Sequence, residues 1–192
     1  MNKPYIIEHT RAWLMRAVIG LNLCPFAKAV HVKSQIRYVV SEATTIDALF
    51  ETLCDELQIL NQTPAEQVDT TLLIHPLVLT DFYDYNDFLS LADMAVAQLG
   101  LQGKLQIASF HPDYQFAGSS SNDISNATNR APYPILHILR EASIDRAVAA
   151  FPNASKIFDT NIQTMSNLGD AGWNDLRRLC EQDAQNNTVI TS

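Results

Sequence analysis

The sequence predicts an α/β fold: a small, largely parallel three-stranded sheet with β-α-β crossovers, followed by a helical C-terminal part. Three observations predict it. Short apolar and β-branched runs at Ile36–Val40, Thr70–Ile74 and Leu105–Phe110 alternate with segments of helical spacing. The runs are continuous rather than alternating, as expected of strands buried on both faces. Past residue 131 the pattern turns helical. With 192 residues, 47% of them hydrophobic and 18% charged, the chain can bury a full core. It reads as one domain over residues 1–185 with a tail, 186–192, expected to fray.

Each element has a local signature. Ile6, Ile7, Trp13, Leu14, Ala17, Val18 and Leu21 recur at helical spacing with Glu8, Arg11 and Arg16 largely opposite, and Gly20 is placed as a stop. A turn over 21–26 leads to the first strand. Thr44-Thr45-Ile46-Asp47 has the spacing of an N-terminal cap, after which Ile46, Leu49, Phe50, Leu53, Cys54, Leu57 and Leu60 mark one helical face, making Cys54 a core residue. The second strand ends in His75-Pro76, and a helix follows through Phe88, Leu91, Ala92, Ala95, Val96 and Leu99, stopped by Gly100. The third strand ends in His111-Pro112. A polar loop of about twenty residues, 111–131, comes next, a length that inside a compact domain marks function or mobility. Helices are predicted over 132–142, around 145–150, over 155–168 and from 173 to about 183.

Charge is distributed unevenly. Thirteen basic and 21 acidic residues give −8. Residues 38–103 contain no Lys or Arg but eleven acids: Glu42, Asp47, Glu51, Asp55, Glu56, Glu66, Asp69, Asp81, Asp84, Asp87 and Asp93. Residues 1–37 hold six bases and only Glu8. A nucleic-acid backbone would meet a repulsive middle, which excludes that partner, while a small anion beside one Arg remains compatible. No apolar run approaches the roughly 20 residues of a membrane span, and no signal-peptide pattern opens the chain, so a cytoplasmic location without a membrane partner is expected. Cys24, Cys54 and Cys180 are odd in number and far apart, fitting a reducing compartment.

Two strands end in His-Pro, and ligands of open parallel sheets bind outside the carboxyl ends of strands. Proline holds the preceding residue extended, presenting each imidazole at the rim. His75 reads as a polar rim residue and His111, which opens the long loop, as a site residue that Asp113 can orient. Cys24 lies in Leu23-Cys24-Pro25-Phe26-Ala27-Lys28. If it caps a short helical turn beginning at Pro25, backbone N–H groups and Lys28 favour the thiolate; the alternative is a small buried hydrophobe. Read as a helix from Pro132, the last motif puts Tyr133, His137, Arg140 and Glu141 on one polar stripe. Arg130, with Asn129, is placed to hold a carboxylate or phosphate.

The segments Gly20-Leu21-Asn22-Leu23-Cys24-Pro25-Phe26-Ala27, Ala108-Ser109-Phe110-His111-Pro112 with Phe116-Ala117-Gly118, and Asn129-Arg130-Ala131-Pro132-Tyr133-Pro134-Ile135-Leu136-His137-Ile138-Leu139-Arg140-Glu141 resemble those of the bacterial proteins grouped as domain of unknown function 1415. The likeness spans about residues 10–173 and brings no reaction with it. It implies that Cys24, His111, Arg130 and His137 belong to one site.

Three readings follow. The first is a thiol-dependent enzyme, a hydrolase or transferase acting on a small carboxylated or phosphorylated metabolite. Cys24 is its nucleophile, His111 or His137 its base, and Asn129, Arg130, Tyr133, Arg140 and Glu141 bind substrate. The second is a zinc or iron site of Cys24, His111, His137 and Glu141. The third is a protein-interaction module using the segment 130–141 and the acidic middle. The residues name no cofactor.

Overall fold

The Asn2 side chain accepts the Tyr5 amide at 3.2 Å and starts α1, Lys3–Trp13. In the computed structural model, which describes residues 1–150 and 156–190, α1 runs straight into a π-helical turn, Leu14–Ile19. The turn ends at Gly20, where a Cβ would collide with the Arg16 carbonyl. Asn22, at φ 55°, then reverses the chain. There follow α2 (Ala27–Val32), β1 (Ile36–Val40), α3 (Ile46–Gln62), β2 (Thr70–Ile74), α4 (Phe82–Gln98), β3 (Leu105–Phe110), β4 (Ile135–Arg140), α5 (Glu141–Ala150) and α6 (Ile157–Ile190). The caps of α3 and α4 are side chains: Thr45 accepts from the Ala48 amide, one residue later than the Thr44 spacing suggested, and Asp81 from those of Tyr83 and Asp84. Gly169, at φ 65° and ψ 174°, divides α6 between the two helices expected there. Ser155, the expected start of the first, lies outside the described residues, as do 191 and 192 of the tail; residues 186–190 are helical.

The fold is mixed α/β with a helical C-terminal part, but its sheet has four strands and is mostly antiparallel. The order is β1-β2-β4-β3, with β1 and β2 parallel and β4 antiparallel to both neighbours. The three expected strands do run in one direction. What corrects the expectation is 132–142, which is a strand through Ile135–Arg140 and not a helix, and which inserts between β2 and β3. Its Ile-Leu-His-Ile-Leu core is sandwiched on both faces, so no alternation betrayed it. The polar stripe of Tyr133, His137, Arg140 and Glu141 therefore does not exist, because neighbouring strand residues face opposite ways.

Each sheet face has its own core. On one, Leu73, Leu136 and Ile138 pack beneath Leu49, Leu53, Leu57 and Leu60 of α3 and Phe88, Ala92 and Val96 of α4. On the other, Leu72, Ile74 and Ile135 meet Trp13, Ala17 and Val18 of the first helical stretch, with Met165, Trp173 and Cys180 of α6. Among the described residues no helix is long and apolar enough to cross a membrane.

Candidate functional site

The second face is incompletely filled. A cavity of about 810 Å³ lies between the sheet and the covering segments α1, α2 and α5, a size in the usual range for small-molecule sites. Its walls are apolar: Trp13, Leu14 and Val18, then Phe26 and Val30, then Ile36, Leu72, Ala108, Phe110 and Leu139 from the sheet. Lys33, Gln35, Glu66, Asp69, Gln106, Ser143 and Arg146 add polar atoms. Trp13 and Phe110 meet edge to face at 5.3 Å, and the Phe110 and His137 rings lie 6.0 Å apart, so three rings share one wall.

Cys24 and His137 both line this cavity. Cys24 is held in the turn between Gly20 and α2: its amide reaches the Val18 carbonyl at 3.4 Å, and the Leu23 carbonyl accepts from Asn161 of α6 at 2.8 Å. Burial pushes the thiol above its ordinary pKa, opposed by N–H groups of Phe26 and Ala27 directed at the sulfur. The expected cap is not formed, because α2 takes Phe26 as its N-cap, and although two amides reach the Cys24 sulfur, desolvation outweighs them. Cys24 rests as a thiol.

His137 comes from the middle of β4, opposite Leu72 on β2 and Ala108 on β3. Its Nε2 lies 2.7 Å from Thr70 Oγ1, and that hydroxyl also donates to the Ile138 carbonyl at 2.7 Å. The ring is part-exposed because it faces the cavity, yet it lies so deep that desolvation lowers its pKa to about 4. It is neutral at pH 7. No hydrogen bond joins it to Cys24.

The other expected residues lie elsewhere. His111 is fully buried at the carboxyl end of β3, where its Nδ1 accepts the Asp113 amide at 3.0 Å and its Nε2 meets the Leu79 carbonyl at 3.3 Å. The Asp113 backbone orients it, and burial, the largest cause, lowers its pKa. Around it pack His75, Tyr85, Phe82 and Tyr114. His75 donates Nδ1–H to the Val78 carbonyl at 3.0 Å and keeps a buried Nε2 without a partner.

Arg130 does not face the cavity. Its guanidinium donates to the carbonyls of Tyr114 at 3.2 Å and Ser121 at 2.7 Å, clamping the long loop. Asn129 donates to the Ser109 carbonyl, and fully buried Asn126 accepts from Phe116 and Ser119 while donating to Ser120. The loop's polar residues hold it together. Tyr133 meets His9 Nδ1 at 3.2 Å, on the α1 side. Arg140, at the cavity's edge, turns its guanidinium to the carbonyls of Leu60, Thr63 and Val68, and Glu141 begins α5. The anion site of Asn129 and Arg130 and the four-residue metal set are therefore not assembled. Among the described residues no three or more His, Cys, Asp or Glu side chains stand together as a metal site.

Reading the sequence missed Thr70, Lys33 and Arg146. Only Thr70 carried a signal, as a hydroxyl opening a strand whose five residues are all buried. Residues 5–175 match the family model described as protein of unknown function (DUF1415). No curated protein and no solved structure gives a significant match.

Proposed function

The chain belongs to the DUF1415 family, which supplies no activity, and from the site itself we propose that it binds a small, mainly apolar molecule in the cavity beneath α1 and α2. The observation that supports this is one cavity of about 810 Å³ whose mainly apolar lining includes both a thiol and an imidazole. An acidic group on the ligand is served at the rim by Lys33 and Arg146. Deeper in, Cys24 and His137 are both uncharged at rest, which favours binding over ready-made nucleophilic attack.

Naphthalene-sized compounds test this by titration against tryptophan fluorescence, since Trp13 is in the wall. Saturable micromolar binding is expected for the wild-type chain, weakened in Ala108→Phe, which sets a phenyl ring into the cavity beside His137. Absence of saturable binding, or an affinity unchanged in Ala108→Phe, overturns the reading.

A thiol-dependent reaction at Cys24 is the second reading, favoured by the Phe26 and Ala27 N–H groups on the sulfur. They would stabilise the thiolate left when a basic group of the ligand takes the Sγ proton. Mass spectrometry after turnover or inhibition detects the adduct it requires.

A further inference from the structure

Hydrogen bonding around Thr70 decides which face of His137 chemistry the cavity sees. A hydroxyl has one proton. Thr70 Oγ1 lies 2.7 Å from the Ile138 carbonyl, which can only accept, so the proton goes there. Toward His137 Nε2, also at 2.7 Å, Thr70 can then only accept, and Nε2 must carry a hydrogen. A neutral imidazole has a single N–H. Nδ1 is therefore a bare lone pair. Among the described residues it has no hydrogen-bond partner, and the ring lines the cavity.

From this arrangement we propose that Thr70 is a positioning residue that fixes His137 as a hydrogen-bond acceptor, so that the ligand carries a hydroxyl or N–H group on an apolar, ring-like body. The inference rests on the cavity reading above. A carboxylate or phosphate at this depth would oppose a lone pair with another and is confined to the rim, beside Lys33 and Arg146. The body fits the wall formed by Trp13, Phe110 and the imidazole itself.

The test compares 2-naphthol with 2-methoxynaphthalene, in which a methyl group replaces the O–H donor. The wild-type chain should prefer 2-naphthol by about tenfold. Thr70→Val, similar in volume, should erase most of the preference, and Thr70→Ser should restore it. Long-range proton–nitrogen NMR of His137 reads the tautomer directly. Nε2–H is expected in the wild type and in Thr70→Ser, with a mixture in Thr70→Val, a signature that loss of packing alone does not produce. Binding of neither compound sinks the cavity reading. Equal binding of both leaves the cavity reading standing and overturns the donor preference. A preference or tautomer unchanged in Thr70→Val overturns the role of Thr70.

Discussion

Leu49, Leu53, Leu57 and Leu60 lie fully buried against Leu73, Leu136 and Ile138, whereas on the opposite face of the same sheet Leu72, Ala108 and His137 border open volume. The covering elements explain the difference. α3 and α4 are regular helices of 17 residues each, capped by side chains, and they present continuous apolar stripes to the sheet. The other face is covered by a helix that widens into a π-turn, by the six-residue α2, by α5 and by an α6 broken at Gly169. Short and irregular segments interdigitate less completely with a sheet than long regular helices do, and π-turns recur at functional sites. The packed face also carries most of the acidic segment 38–103 on its solvent side. One layer thus secures the fold, and the other leaves room for a ligand.

Truncation tests this division most strongly. Leu57→Ala on the sealed face leaves a closed void and should cost about 3 kcal/mol in urea unfolding. Val30→Ala, whose removed methyls already border the cavity, should cost about 1 kcal/mol or less. Equal costs at the two positions would mean that the second face closes in solution.

Acid is the next lever, and it acts on buried imidazoles. Desolvation lowers His75 from 6.5 to about 4, so the unfolded chain binds more protons than the folded one between those values. The stabilisation of the neutral form is complete above pH 6.5 and is lost as pH falls toward 4, by up to about 3 kcal/mol for His75 alone. His137 is lowered as far, and His111 and His9 are shifted in the same direction, so all three add to the slope. Asp183, held by Arg16, titrates below 3.8 and stays outside the window. His75→Gln should make the dependence of unfolding free energy on pH across 4 to 6.5 shallower by its own share, leaving the part that His137, His111 and His9 carry. A slope equal to that of the wild type would remove His75 from the account.

These histidines also show what a sequence can and cannot carry. β1, β2 and β3 and both helices between them were legible from apolar runs, a Thr cap and Gly100, because such signals are local. β4 was not. Ile135 is buried on one face of the strand and Leu136 and Ile138 on the other, which removes the period of two, and Ile135 with Leu139 happens to match helical spacing. Cys24 and His137 were legible as chemistry-bearing residues, and the fold places both on one cavity. Their separation from His111 and Arg130 was not legible. It depends on the carbonyls of Leu79, Tyr114 and Ser121, and a backbone acceptor leaves no mark on residue type.

The smallest effect separates the two faces through their thiols. Cys54 packs against the sealed core from α3, Cys24 lines the cavity, and Cys180 is buried on α6. Burial raises all three above the ordinary thiol value, Cys180 to about 11. Alkylation by iodoacetamide, followed by peptide mass spectrometry, should therefore be slow at pH 7 and rise with pH at each site, with Cys180 the slowest. A saturating naphthalene compound should slow Cys24 further and leave Cys54 unchanged, because only Cys24 shares a wall with the ligand. Protection spread equally over Cys24 and Cys54 would mean that the compound tightens the whole fold rather than filling one face.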